Sequence, residues 1–235
     1  DLNNNPDNVT YAIHEENSDK FVQPNGTLGD FKAWQTLTNW GTITINNLDP
    51  DQKLTLAIAA QNNDKAETNY SEKASTFTLA ETPKAPTVEA TSSTSIALTI
   101  NPNGNPTSVR YAVYESNMGK YLDYNNQYSV DPVWLSIESG AEFEIEYLLP
   151  NTEYTFKVKA RNTEWIETGF SPEASVTTPD GPPIAPTLVS PENGSTGHPN
   201  SILFNWNEIT NADTYNIQIA THSGFYGNTI VFETS

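Results

Sequence analysis

Hydrophobic and polar residues alternate along most of the chain with a period of two. The clearest case is 154–160, where Tyr154, Phe156, Val158 and Ala160 fall on one face and polar residues fall on the other. A period of two with one polar face predicts an antiparallel strand in a sheet that is solvated on one side. Similar segments occur at 54–60, 95–100, 109–113, 142–147 and 174–178. No segment has a helical period, so we expect an all-β fold.

The sequence also repeats at a fixed offset of 100 residues, without a gap. Residues 8–15 align with 108–115, and Trp34 aligns with Trp134. The register continues into the linkers, where 85–87 match 185–187. An unbroken register over this length indicates a duplicated structural unit.

The repeat predicts three units. Unit one (1–82) lacks the first two strands, unit two (83–182) is complete, and unit three (183–235) is the N-terminal half of a divergent copy. Proline-rich linkers join them, and such linkers are extended and semi-rigid. We therefore expect a segment of a longer repetitive protein, with its units strung end to end.

About seven short strands in about 100 residues are typical of an immunoglobulin-like β-sandwich. The motif that begins Leu148-x-Pro150-x-Thr152-x-Tyr154 closely resembles the fibronectin type III signature. The resemblance implies that Tyr154 forms a tyrosine corner, in which its hydroxyl bonds upstream backbone. Unit one has Leu54 at this position, which puts its corner in doubt.

The resemblance also assigns structural roles to other aromatic residues. Tyr111 and Tyr215 resemble the tyrosine of the third strand, and Trp206 resembles the core tryptophan of the second strand. In more detail, unit one is similar to a fibronectin type III variant of large secreted bacterial proteins. That family implies an extracellular or cell-surface structural or adhesive repeat region: a spacer, a stalk or a filament subunit. The alternative is a non-catalytic accessory region of a secreted polysaccharide-degrading enzyme, which would contact carbohydrate.

Composition narrows the function classes. The chain has 29 acidic and 11 basic residues and a net charge of -18. This balance argues against nucleic acid, which requires clustered Lys and Arg, and against an anionic membrane surface. The absence of cysteine excludes disulfides, thiolate metal sites and cysteine nucleophiles. No apolar run approaches the roughly 20 residues that span a bilayer.

The sequence contains no convincing catalytic or metal-binding constellation. The histidines His14, His198 and His222 lack metal-ligand spacing, and no nucleophile elbow or phosphate loop is present. We therefore expect no enzyme activity and no cofactor. Oxygen-bearing residues cluster at turns that we expect at domain ends, at Asp1, Asn3, Asn5 and Asp7 and again at Asp49 and Asp51. These could hold Ca²⁺, although they lack a recognised calcium-binding spacing, so solvated turns are the favoured interpretation.

A long insertion follows the third strand, at 15–39 and 115–139, and offers the best candidate binding surface. Its aromatic residues could stack against sugars, or they could fold back as a small satellite core. Because Trp34 recurs as Trp134, the packing interpretation is favoured for that pair. The candidate ligand or partner contacts are Tyr121, Tyr124, Tyr128, Trp40 and, at a hairpin tip, Trp165.

The incomplete end units leave the question of partners open. A sandwich without two strands exposes its core and sheet edges. We expect either a fragment or head-to-tail completion by copies of the same protein, with unit three supplying the strands that unit one lacks. Surface glycans are the other candidate partner. Sequons occur at Asn8, Asn25, Asn69 and Asn193, and they matter only if the source glycosylates such sites.

Overall fold

The computed structural model describes residues 5–137, 142–221, 224 and 230–234. These residues form short antiparallel strands, which confirms the all-β prediction. One single-turn helix, absent from the sequence prediction, begins after Thr36, whose side chain accepts a hydrogen bond from the Asn39 N–H. No helix in the described part of the chain is long and apolar enough to span a membrane.

Unit one is a single sheet with the order β3-β2-β1-β5-β6, and β4 also pairs with β1. Its elements are β1 (Thr10–Glu15), β2 (Lys20–Val22), β3 (Leu28–Gly29), β4 (Gln35–Thr36), α1 (Leu37–Trp40), β5 (Lys53–Gln61) and β6 (Ala74–Phe77). The long central strands β1 and β5 pair over their full overlap, from Thr10↔Gln61 to Glu15↔Leu56.

Unit two is a two-layer sandwich. Its elements are β7 (Lys84–Ser92), β8 (Ser95–Asn101), β9 (Arg110–Glu115), β10 (Lys120–Leu122), β11 (Tyr128–Ser129), β12 (Leu135–Ser136), β13 (Glu142–Ile145), β14 (Glu153–Arg161), β15 (Glu167–Phe170) and β16 (Ala174–Thr177). One layer has the order β13-β8-β7 and the other β11-β10-β9-β14-β15, with β12 pairing β9 and β16 pairing β14. Ile96 and Leu98 from the first layer and Phe156 and Val158 from the second are fully buried between them.

The inner face of unit one is open by comparison. Ile58 is 44% exposed, whereas Val158 at the same position of unit two is 0% exposed. The face borders a groove of about 570 Å³ lined by Tyr11, Ile13 and Trp40. Residues 42–45 align with β13 but form no strand, because the described part of unit one has no counterpart of β8 to pair with.

Unit three contains two separate strand pairs. Its elements are β17 (Leu188–Ser190), β18 (Asn205–Trp206), β19 (Tyr215–Ile219) and β20 (Ile230–Thr234). β17 pairs β18, and β19 pairs β20. The Trp206 and Tyr215 ring centres lie 5.5 Å apart, and the Tyr215 hydroxyl accepts a hydrogen bond from the Ile209 N–H at 2.8 Å.

Candidate functional site

Asp51 is the centre of the joint between units one and two. It is 7% exposed, and its carboxylate accepts hydrogen bonds from the Thr163 N–H at 2.7 Å, the Thr163 hydroxyl at 2.8 Å and the Ser108 hydroxyl at 2.5 Å. Both donor residues belong to unit two. Hydrogen bonds to an ionised carboxylate are stronger than neutral ones, so a single side chain of unit one holds two loops of its neighbour.

Two further contacts brace this joint. The Asn162 side-chain amide donates to the Thr78 carbonyl at 3.0 Å. Asn105 makes two bonds of 2.7 Å to the backbone of Glu81 in the linker, one accepted and one donated. These contacts tie the linker to unit two and unit two to unit one, which favours a fixed orientation of the two units.

The joint between units two and three is built differently. Asn151 stands where Asp51 stands in unit one, and in the described part of the chain its side chain makes no hydrogen bond to unit three. Asn211 donates to the carbonyl of Gly181 in the linker at 3.1 Å. The neutral Asn151 thus leaves the second joint without the carboxylate contacts of the first.

The outer face of unit two carries a row of cations over aromatic rings. The ammonium of Lys159 lies 5.2 Å from the centre of Tyr121 and 5.3 Å from that of Trp134, and it donates to Glu167 at 2.5 Å. Burial acts to lower the pKa of Lys159, but hydrogen bonds with Glu167 and Tyr121 outweigh it, so the pKa is raised. The neighbouring Lys157 is paired with Glu173 at 3.1 Å. The distances from the Lys159 ammonium to the ring centres of Tyr121 and Trp134 fall within the range of cation–π interactions.

Arg161 ends this row between two tryptophans. Its guanidinium carbon lies 4.4 Å from the ring centre of Trp134 and 3.9 Å from that of Trp165. Its pKa is lowered, chiefly by burial and also by the nearby Arg110, while Glu167 opposes the shift. The sequence placed Trp165 at a hairpin tip, and the structure shows it there with 69% of its surface exposed.

Unit one lacks this row at the equivalent positions. Ala57, Ala59 and Gln61 replace the three cations, although Trp34 is retained. A cation instead comes from Lys32, whose ammonium lies 5.5 Å from the Trp34 ring centre. The aromatic scaffold is therefore common to both units, whereas the cationic row is particular to unit two.

Each of the first two units contains a buried glutamate that the sequence analysis did not single out. Glu15 and Glu115 are both 0% exposed and lie at the ends of β1 and β9. Glu15 accepts hydrogen bonds from the backbone N–H groups of Asn17, Ser18 and Thr55, and Glu115 accepts from the corresponding groups of unit two. The recurrence of Glu15 as Glu115 at the offset of 100 residues is the sequence signal that could have identified them. Each carboxylate is committed to local backbone, which makes these residues structural.

The candidate contacts in the insertion of unit two occupy different environments. Tyr121 is 8% exposed and packs beneath Lys159. Tyr128 is half-buried, and its hydroxyl is buried without a hydrogen-bond partner in the described residues. Tyr124 is 56% exposed, donates to the Ser136 carbonyl at 2.5 Å and lines a groove of about 440 Å³. Of these three, Tyr124 alone presents most of its surface.

Trp40 is not the exposed contact that the sequence interpretation made it. It is 7% exposed, and its indole N–H donates to the Tyr11 carbonyl at 2.8 Å. The helical turn α1 folds the side chain back onto β1, which the alternation pattern could not show.

The tyrosine corner is present in unit two. Tyr154 is 3% exposed, and its hydroxyl accepts a hydrogen bond from the Leu149 N–H at 2.9 Å. Tyr111 is 1% exposed, and burial raises its pKa to about 12. Unit one has the apolar Leu54 at the corner position, so it has no hydroxyl to make this bond.

The described residues contain no group of three or more His, Asp or Glu side chains that could hold a metal ion. Among the suggested calcium ligands, Asp51 is engaged in the joint, and Asp1 and Asn3 lie outside the described residues. His14 packs against Phe21 and Tyr70, and His222 also lies outside the described residues.

No protein-family model and no curated protein matches the chain. Among solved structures, it is similar to two fibronectin type III domains of chicken tenascin, with 13% identity, a TM-score of 0.39 and coverage of 72% of this chain and 83% of the other. It is also similar to domains FN1–FN3 of chicken CNTN1, with 20% identity, a TM-score of 0.32 and 74% of this chain covered; it spans 57% of that structure. A family 28 exopolygalacturonase of Yersinia enterocolitica has 18% identity and a TM-score of 0.32, with 43% of this chain and 21% of that chain covered.

The fold is established by the chain's own geometry. Unit two has a three-stranded and a seven-stranded antiparallel layer and a tyrosine corner at Tyr154. Unit one repeats the central pairing of the larger layer at an offset of 100 residues, with β1 and β5 in the places of β9 and β14. The chain is a tandem array of fibronectin type III-like units, of which unit two forms a two-layer β-sandwich.

Proposed function

We propose that this chain is a non-catalytic, extracellular structural region that acts as a spacer or stalk and sets the distance between the parts of a larger protein. The observation that carries the proposal is the joint at Asp51. A buried carboxylate with three hydrogen bonds to the next unit is suited to transmitting position from one unit to another.

The surface charge supports the same role. A net charge of -18 keeps the units soluble and opposes collapse of neighbouring units onto one another. Because Asp51 contacts the next unit and Asn151 makes no such contact in the described residues, we expect the first joint to be stiffer than the second.

The proposal is tested by negative-stain electron microscopy of the native, undigested protein from its source. A stalk or fibre of beaded units outside the cell is the expected result. Units gathered beside a compact catalytic domain would overturn the spacer role and favour the accessory-region alternative.

A further inference from the structure

We propose that Arg161, Arg110 and Trp165 form a binding site for an acidic sugar, a uronate of an extracellular glycan. The choice of a glycan rests on the extracellular role proposed above. The first observation is that the chain has only two arginines and that they lie directly opposite each other on β9 and β14. Like charges at opposed positions of neighbouring strands are destabilising, and a bound carboxylate would relieve this repulsion.

Arg161 has free hydrogen-bonding capacity. In the part of the chain that the structure describes, its guanidinium makes no hydrogen bond and no ion pair. The ring centres of the two indoles lie 4.4 and 3.9 Å from its central carbon, and its N–H donors lie in the plane of the group. A stacked guanidinium with free in-plane donors is suited to bidentate recognition of a carboxylate.

The neighbouring cations are already engaged. Lys157 is paired with Glu173 and Lys159 with Glu167. Arg110 donates to the carbonyls of Thr107 and Ser108, each at 3.1 Å, which fixes its side chain without neutralising its charge. Glu167 lies directly opposite Arg161 on β15, but its carboxylate is paired with Lys159. An incoming carboxylate would therefore meet Arg161 without an ion pair of its own, with Arg110 beside it.

Unit one shows that the fold does not require this arrangement. The positions of Arg110, Arg161 and Trp165 are occupied there by Thr10, Gln61 and Lys65, and Thr10 and Gln61 are paired in the same register. Lys65 has the same left-handed backbone as Trp165, with φ of 63° and 68°. If the hairpin needed these residues for its structure alone, we would expect the same residues in both units.

The exposed tryptophan favours a sugar over a bare ion. Trp165 is 69% exposed, and the neighbouring Ile166 is 50% exposed. The C–H face of a pyranose is flat and apolar, so covering an indole with it removes apolar surface from water. The net charge of -18 would repel a long polyanion, so we expect the site to take one uronate or a short acidic segment.

The test is a titration of the full chain with a trisaccharide of glucuronic acid and with the corresponding neutral glucose trisaccharide, followed by NMR at the Trp165 indole. We expect the acidic sugar alone to shift this signal, and the affinity to fall at about 1 M salt, where the Debye length is about 3 Å. Arg161→Gln and Trp165→Lys, which copy unit one, should each weaken binding about tenfold or more; because Trp165→Lys has no indole at this position, its binding is measured against the wild type by isothermal titration calorimetry. Lys84→Gln removes a positive charge from the opposite layer and should leave binding unchanged.

Equal binding of the neutral trisaccharide, or no shift with the acidic one, would overturn the proposal. Sedimentation of the same variants examines the competing occupant. If the chain self-associates, loses this association in Arg161→Gln and binds no sugar, the occupant of the site is a carboxylate of another copy of the chain. That result would overturn the proposal of a glycan ligand. None of these outcomes depends on the stiffness of the Asp51 joint or on the electron microscopy of the spacer.

Discussion

The buried carboxylate of Glu115 should stabilise unit two strongly, and Glu115→Gln tests this. The carboxylate accepts backbone hydrogen bonds from Asn117 at 3.1 Å, Thr155 at 3.3 Å and Met118 at 2.5 Å. Glutamine has nearly the same shape, but one of its two terminal groups is an N–H donor. The glutamine oxygen can therefore accept the hydrogen bonds on one side of the site, while the glutamine NH₂ group faces a backbone N–H donor on the other side.

The expected loss follows from these contacts. A hydrogen bond to a charged group contributes about 1.5–3 kcal/mol, and a buried donor left without a partner costs about 1–3 kcal/mol. We expect Glu115→Gln to lower the free energy of unfolding of unit two by about 3 kcal/mol. For a unit of this size that corresponds to a fall in Tm of roughly 12–24 °C.

Differential scanning calorimetry of the full chain, with hydrogen exchange at β9 and β14 to identify unit two, measures the change. Glu89→Gln makes the same chemical change at an exposed position of β7 and should be neutral. If Glu115→Gln unfolded within about 0.5 kcal/mol of the wild type, the ordinary range for surface substitutions, the carboxylate would not stabilise the turn and this reasoning would be refuted.

Two more predictions concern buried polar groups. Burial acts to raise the pKa of Glu15, but hydrogen bonds from Ser18, Thr55 and Asn17 outweigh it and lower the pKa. The ionised Glu15 therefore stabilises folded unit one above the unfolded-state pKa of about 4.3. This stabilisation is lost as the pH falls through the lower folded-state pKa. Acid titration of unit one followed by hydrogen exchange should show this loss, and it should be absent in Glu15→Gln. Among the tyrosines, Tyr154→Phe should lower the free energy of unfolding by about 1–2 kcal/mol in a denaturant titration, because the Leu149 N–H loses its acceptor. Tyr128→Phe removes a buried hydroxyl without a partner in the described residues, so it should leave the free energy of unfolding unchanged or raise it. The opposite ranking of the two variants would contradict both assignments.

The fold could be predicted because its signals are local. The alternation at 154–160 reports burial on one face of a strand, and the offset of 100 residues reports the duplication. The tyrosine corner could also be predicted from the sequence, because Tyr154 accepts from the N–H of Leu149, which is only 5 positions away.

The contacts of the joint and of the proposed binding site could not be predicted in the same way because they join distant parts of the chain. Asp51 contacts Thr163 across 112 positions, and nothing near Asp51 distinguishes it from a solvated turn residue. Arg161 lies on the polar face of its strand, but its partner Trp134 comes from the insertion, whose path over the sheet is a tertiary property. Trp40 was assigned to the surface for the same reason.

The stiff joint between units one and two is the central claim, and a distance measurement across it is the most direct test. Because the chain has no cysteine, spin labels can be placed at Glu72→Cys in unit one and Glu89→Cys in unit two and their separation measured by pulsed dipolar spectroscopy. We expect one narrow distance distribution in the otherwise unaltered chain and in the control Asp49→Ala, and a broad distribution in Asp51→Ala. A broad distribution before any change at Asp51, or an equally narrow one after it, would contradict the account.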